Sequence, residues 1–291
     1  MEKCVQPLIC PVCEANLAQA GNTLKCPQSH SFDVSREGYV NLHLANRKRP
    51  QVLGDTKDML RARRDFLDRG HYRPLSDAIN ERVYHHLVDG ADTHSGPFPA
   101  CIAEVGCGEG TYIGRVKHHL DSQPMNRSIC YFGMDISKEA ARLAAKRYRD
   151  IRFVVASVWR KILFSSHSIQ VLLNIFAPRN GAEFDRVIAR DGMLLVAIPG
   201  PGHLMNLRSD LGLLGMEAHK EQRIVEQFRR TFKLAGRQTI AYEMHLTGEE
   251  LLDLIQMTPN HWHISKGTRD ALQSTESVRT EASFTVLQFH R

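Results

Sequence analysis

The stretch Glu104–Tyr112, EVGCGEGTY, decides how the rest of the chain is read. Glycines at 106, 108 and 110 follow the apolar run CIAEVG (101–106) and precede residues 111–120, which suit a helix. Glycine lets a backbone turn sharply and approach a ligand with no Cβ in the way. The stretch therefore reads as strand, ligand-facing turn and helix start. Its glycines step by two, whereas the dinucleotide fingerprint needs G-x-G-x-x-G. The alternation continues downstream. SICYFGMD (128–135) is a strand and SKEAARLAAKRY (137–148) a helix with Ser137 as N-cap. IRFVVAS (151–157), SIQVLLNIF (168–176) and GMLLVAIPG (192–200) follow as strands. Helical stretches near 203–232 and 248–257 and a last strand at 282–290 complete the pattern. Apolar, β-branched strands alternating with helices predict an α/β fold whose mostly parallel sheet is covered on both faces.

Upstream of the loop, Met59, Leu60, Phe66, Leu67, Leu75, Ile79, Val83 and Leu87 recur at three- and four-residue steps, the period of helix. GHYRP (70–74) breaks this run in two. NRKRPQVLGD (46–55) is basic, polar and interrupted by Pro50 and Gly54, which reads as a linker. The expected organisation is a small zinc-binding module over 1–45, the linker, and a large α/β domain over 56–291.

The small module rests on Cys10-x2-Cys13-x12-Cys26-x3-His30. Two thiolates two residues apart can face one ion from a tight turn, and a second pair a dozen residues on can close a tetrahedron. Cys10, Cys13, Cys26 and His30 are thus the candidate zinc ligands. Three thiolates and an imidazole leave no position for water, so the metal is expected to be structural. The remaining cysteines scatter singly and read as free buried thiols in a reducing cytoplasm. Of the 291 residues, 42% are hydrophobic and 24% charged, as in globular proteins, and the net charge of +6 fits an anionic partner. No run of about 18 apolar residues is present and the N-terminus lacks a secretory pattern, so no membrane association and a cytoplasmic location are expected.

Two acids accompany the glycines. Glu104 opens the loop, and Asp135 ends the next strand. With Gly106, Gly108 and Gly110 they suit S-adenosylmethionine (SAM): Asp135 to accept from the ribose hydroxyls, Glu104 near the cationic amino-acid end. Ala156 and Ser157, ending the third strand, are placed to flank the adenine, and NIFAP (174–178) ends the fourth strand, where substrate-facing residues sit. The combination resembles the class I SAM-dependent methyltransferases, which implies a Rossmann-like, mostly parallel seven-stranded sheet.

A narrower resemblance runs from about residue 10 to the C-terminus. The knuckle, FDVSREGYVNL (32–42), GDTKDMLRARRDFLDRGHYRPL (54–75), PGPGHLMNLR (199–208) and LLDLIQMTPNHW (251–262) are together similar to the RlmA family. That resemblance implies methylation of N1 of a guanine in hairpin 35 of 23S ribosomal RNA, with the wording of PGPGHLMNL and IQMTP leaning to the position-745 type over 748. It implies zinc on the four ligands above, cofactor contacts at Tyr72, Gly108, Glu109 and His203, and a homodimer. SVWRKILFSSHSIQVLL (157–173) departs from the family, whose members carry a Pro-Phe turn and an acid there. NIFAP is not N-P-P-[FY], the motif that holds an exocyclic amine, which is compatible with a ring-nitrogen target. Asn174 and Trp262 are expected to line the guanine pocket, Trp262 as a stacking surface, and the residues single out no general base. Basic clusters NRKRP (46–50), RARR (61–64) and AAKRYR (144–149) are expected to grip RNA. The residues leave open a methyltransferase of another RNA, a protein or a small molecule, and a catalytically silent RNA-binding protein.

Overall fold

The computed structural model describes residues 4–44, 55–89, 99–125, 128–211, 219–258, 266–273 and 275–291. In chain order its elements are β1 (Ala18–Ala20), β2 (Thr23–Lys25), β3 (Ser31–Asp33), β4 (Val40–Asn41), α1 (Lys57–Asp68), α2 (Arg73–Asp89), β5 (Ala100–Val105), α3 (Thr111–Asp121), β6 (Ile129–Asp135), α4 (Lys138–Arg147), β7 (Arg152–Val155), β8 (Ile169–Ile175), α5 (Gly181–Val187), β9 (Ile188–Pro199), α6 (Met205–Leu211), α7 (Lys220–Phe228), β10 (Lys233–Leu246), α8 (Gly248–Gln256), α9 (Lys266–Gln273) and β11 (Val278–His290).

Strands β1 to β3 form a small antiparallel sheet. The large sheet has the order β10-β11-β9-β8-β5-β6-β7-β4. Pairs from β4 across to β9 are parallel, and β11 runs antiparallel to both β9 and β10. The sheet has eight strands rather than the expected seven. The extra one, β4, lies in the N-terminal segment and pairs with β7 through Val40 and Val154. The break in the early helical run falls as read: α1 is N-capped by Thr56, and Gly70, at φ +88°, turns the chain before α2. Ser137 caps α4 by accepting from the Ala140 amide at 3.2 Å.

Alternate residues of each strand serve two separate cores, as the pleat requires. Ile102, Tyr131, Val171 and Leu195 face the side covered by α1 to α4 and α8. Ala103, Phe132, Leu172 and Leu194 face the other side. There the chain runs from β7 to β8 without a helix, through residues 156–168. The N-terminal segment covers the bare area: Val5, Leu8, Ile9, Leu17 and Leu24 share one core with Phe132, Val154 and Phe164. Backbone bonds stitch the join, with the Ile9 amide donating to Leu163 O at 3.0 Å and the Ser165 amide to Pro7 O at 2.9 Å. Cys4 is disulfide-bonded to Cys130 on β6. This corrects the expectation of free thiols at those two positions, while Cys101 and Cys107 are free and buried. Among the described residues, no helix is long and apolar enough to cross a membrane.

Candidate active site

The four metal-ligand candidates converge. The donor atoms of Cys10, Cys13, Cys26 and His30 all lie within 4.8 Å of one another. The sulfurs of Cys13 and Cys26 are 3.5 Å apart, and His30 Nδ1 is 3.3 Å from the Cys26 sulfur and 3.6 Å from that of Cys10. A tetrahedral zinc with bonds of about 2.3 Å to sulfur and 2.0 Å to nitrogen needs ligand separations of about 3.5–3.8 Å. The set therefore fits zinc, and with all four positions filled by protein the metal is structural. Each knuckle turn contains a non-glycine residue at positive φ, Glu14 and Ser29. The Val12 amide donates to the Cys10 sulfur at 3.4 Å.

A cavity of about 980 Å³ opens at the carboxyl ends of β5 to β8. It sits where the strand order reverses between β5 and β8, the position at which open α/β sheets bind ligands. The glycine loop forms its floor. A Cβ at Gly106 would overlap that of Ala177, and one at Gly110 would come within 2.8 Å of the Phe153 ring. Both glycines, at φ +77° and +75°, hold a turn that other residues disfavour. Around Gly108 the nearest atom to such a Cβ is Arg63 Nη1 at 3.7 Å, so this part of the loop is open to a ligand.

Asp135 closes the loop from β6. Its Oδ2 accepts from the Gly108 amide and its Oδ1 from the Ser137 amide, each at 2.8 Å. Burial pushes this carboxyl up, the two amides oppose that, and the net direction is upward. An ionised carboxylate has about four acceptor positions, so both oxygens retain capacity for ribose hydroxyls. Glu104 is 1% exposed on the cavity wall. Its Oε2 accepts from the Ile113 amide at 2.9 Å, in the first turn of α3. Burial, with a smaller push from Asp135, raises its carboxyl to about 8. A buried acid held this way suits a cationic group arriving with a ligand, and the ammonium of SAM is one.

Glu109 is held by Arg64 in a two-bond fork of 2.6 and 2.5 Å. Arg63 pairs with Asp55 and donates to Met257 O at 2.9 Å. Of RARR, Arg63 and Arg64 brace the cavity wall, and Arg61 is exposed, 3.7 Å from Asp65. In AAKRYR, Arg147 pairs with Asp68 at 2.8 Å. NRKRP lies outside the described residues.

Tyr72 and His203 meet across the cavity wall, with Tyr72 Oη 3.4 Å from His203 Nε2. His203 Nδ1 accepts from the Ser283 amide at 3.2 Å, which places the ring proton on Nε2. Burial, with Arg208 nearby, lowers this imidazole to about 3, so it is neutral. Burial drives the Tyr72 phenol well up. Ala156 and Ser157 also line the cavity.

Asn174 does not reach the cavity. It is fully buried, and its Nδ2 donates to Pro178 O at 2.9 Å, fastening the turn after β8. The expectation that it lines a base pocket is therefore corrected: the residue shapes the wall from behind. Trp262 lies outside the described residues. Two aromatic residues that sequence reading does not name individually face the cavity: Trp159, and Phe176 within the NIFAP stretch. Trp159 stands alone in SVWRK with no apolar period to bury it, which is the signal that could have found it.

Doubly wound sheet, glycine loop, strand-end aspartate and zinc ribbon together define a class I SAM-dependent methyltransferase with an N-terminal zinc-binding module. Comparison with known proteins narrows this. Residues 8–51 match the family model of the RlmA N-terminal zinc ribbon. A Streptomyces fradiae protein named 23S rRNA (guanine(748)-N(1))-methyltransferase is 35% identical over 89% of this chain and 87% of its own length. A Micromonospora griseorubida protein, provisionally named 23S rRNA (guanine-N(1)-)-methyltransferase, is 38% identical over 88% and 87%. Among solved structures, geranyl diphosphate C-methyltransferase from Streptomyces coelicolor A3(2) overlaps 74% of this chain and 76% of its own at 15% identity, with a TM-score of 0.40. The chain belongs to the family of 23S rRNA (guanine-N1)-methyltransferases.

Proposed function

We propose that this protein transfers a methyl group from SAM to N1 of a guanine in hairpin 35 of 23S rRNA. The supporting observation is identity of 35–38% to relatives named as 23S rRNA guanine-N1 methyltransferases, along almost nine-tenths of the chain. When bound, SAM supplies an electrophilic methyl on its sulfonium. The chain's own residues bind and align. Gly106, Gly108 and Gly110 let backbone approach the cofactor, Asp135 orients the ribose, Ala156 and Ser157 wall the adenine, and Glu104 faces the ammonium. Tyr72, Glu109 and His203 complete that wall, Glu109 through its fork with Arg64. In-line transfer needs donor and acceptor held in register, and alignment alone supplies much of the rate. Guanine N1 loses its proton before or during attack.

Arg208, Lys220 and Arg237 line the cavity, with Arg237 forked to Glu221, and their positive charge would favour an RNA backbone near the site. The motif wording of residues 199–207 and 255–259 favours position 745. The Streptomyces relative, named for guanine 748, favours its neighbour. The proposal also carries a cytoplasmic homodimer, which light scattering of the purified protein tests. The decisive experiment is mass mapping of 23S rRNA from a strain lacking the gene, before and after treatment with purified enzyme and SAM. One methyl gained at N1 of a hairpin 35 guanine is expected, and its position decides between the two targets. Unchanged rRNA refutes the reading.

A further inference from the structure

A flat aromatic surface left open beside a methyl-donor site asks for a flat ligand. Among the described residues, the exposed large hydrophobic side chains that line the cavity are Trp159, 64% exposed, and Phe176, 41% exposed. Each is held rather than loose. Phe176 sits at φ +52°, a left-handed conformation that a bulky side chain seldom adopts. Its amide is fastened to Ala197 O at 3.0 Å just past the end of β8. Behind its ring stand Phe284 at 5.6 Å, Tyr72 at 6.3 Å and Tyr112 at 6.4 Å between centroids, all three buried. Backbone strain of this kind persists where the surrounding structure over-determines it, and it clusters at functional sites.

Trp159 projects from the helix-free connection between β7 and β8. The backbone around it is tied down. Asn180 Nδ2 donates to Val158 O at 3.0 Å, the Ile162 amide donates to Glu183 at 2.7 Å, and Lys161 pairs with Glu14 of the first zinc knuckle. An exposed indole on so anchored a segment is not filling a core.

Position separates Phe176 from the cofactor, while Trp159, two residues past Ser157, is drawn toward the β8 side by the Asn180 bond to Val158 O. The adenosine wall, made by Asp135, Ala156 and Ser157, lies at the ends of β6 and β7. Phe176 lies on the opposite side of the glycine loop, at the end of β8. Cavities of about 300–1,000 Å³ suffice for one drug-sized ligand. At about 980 Å³ this one is at the upper end of that range, and Phe176 lines the flank away from Asp135.

Resting on the RNA reading above, we propose that Phe176 and Trp159 form the receptor for the unpaired target base, presenting aromatic faces to a guanine turned out of its helix. Proteins that act on single bases extrude them into such pockets and hold them by stacking. The zinc knuckle then serves the substrate site through Glu14 and Lys161, by keeping the Trp159 segment in place.

The test uses purified full-length enzyme, an in vitro 23S rRNA transcript, SAM as methyl donor for turnover and S-adenosylhomocysteine for binding. Phe176→Ala and Trp159→Ala are expected to lower kcat/KM for the transcript by about tenfold to a hundredfold, the range of one lost stacking contact. Calorimetric affinity for S-adenosylhomocysteine should stay within about threefold of wild type, and Phe176→Tyr and Trp159→Phe should recover most of the activity. The chain has two tryptophans, so in a Trp262→Phe background the emission of Trp159 should be quenched by the transcript. It should not be quenched by one abasic at the methylated position. Wild-type kinetics in both alanine variants would overturn the inference, as would a parallel loss of S-adenosylhomocysteine binding. A wild-type enzyme that binds S-adenosylhomocysteine yet leaves the transcript unmethylated overturns the RNA reading, and this one with it.

Discussion

Replacing Glu104 with glutamine should make the cofactor-free protein more stable at alkaline pH while weakening its hold on the cofactor. Glu104 is raised from its ordinary 4.5 to about 8, chiefly by burial. Between those values the folded protein keeps a proton that the unfolded chain has lost. Wild-type stability therefore falls as pH rises through that window. At 1.36 kcal/mol per pH unit the contribution is about 3 kcal/mol lost by pH 7 and about 4 kcal/mol by pH 8. The substituted carboxamide would keep an acceptor for the Ile113 amide and does not ionise. In differential scanning fluorimetry without ligand, Glu104→Gln should match wild type near pH 4.5 and melt about 5–10 °C higher at pH 8. His203 works in the opposite sense: lowered to about 3, it costs stability as pH falls below 6.5, but equally in both proteins. With S-adenosylhomocysteine present the order should reverse. The ligand's ammonium favours ionised Glu104, so binding at pH 7 releases a proton, visible as buffer-dependent heat in calorimetry. The variant should bind about tenfold or more weakly and release none. A melting difference that is flat with pH, or undiminished affinity, would refute the placement of this carboxylate.

Other perturbations read other parts of the site. Cys26→Ser should drop bound zinc from one per chain to near zero by elemental analysis and sharply lower the melting temperature, because the ribbon shares its core with the sheet. Asp135→Ala removes the acceptor for the Gly108 and Ser137 amides and should weaken S-adenosylhomocysteine binding by about tenfold to a hundredfold. Arg64→Ala leaves the Glu109 carboxylate buried without its partner. With Arg64 itself 35% exposed, a loss of about 1–3 kcal/mol in urea unfolding is expected, part of it recovered by adding Glu109→Gln. Asn174→Ala should cost about 1–3 kcal/mol of stability by stranding Pro178 O, and S-adenosylhomocysteine affinity measured below the transition should hold.

What the sequence discloses is what short spacing encodes. The glycine loop, Asp135 at the end of β6, the cap at Ser137 and the knuckle each depend on residues within a turn or two of one another, or on a ligand set that only metal binding explains. What it conceals depends on partners far along the chain. Strand β10 is the edge strand, and its first half, KLAGRQ, is mostly exposed with no apolar period, although Ile240, Tyr242, Met244 and Leu246 alternate inward and carry a strand signal that a sequence reading passes over. Two-residue β4 is a strand only because β7 lies beside it. The pairing of Arg64 is hidden from a sequence reading because its partner, Glu109, stands 45 residues away. Asn174 sits in a substrate-facing motif, yet its bonds to Pro178 and Arg179 hold it inward. Phe176 belongs to the same motif, but its positive φ and its exposure are tertiary facts. Trp159 escapes notice because its segment departs from the family pattern.

The N-terminal segment occupies the place where a crossover helix would ordinarily cover the sheet between β7 and β8. The seam between the two therefore runs through hydrophobic interior and not along a surface. An excised catalytic half would display Phe132, Val154 and Phe164 to water. Chimeras that trade the first forty residues between relatives should precipitate unless residues 158–165 travel with them. The zinc module and the sheet share one interior, so neither is expected to hold its shape without the other.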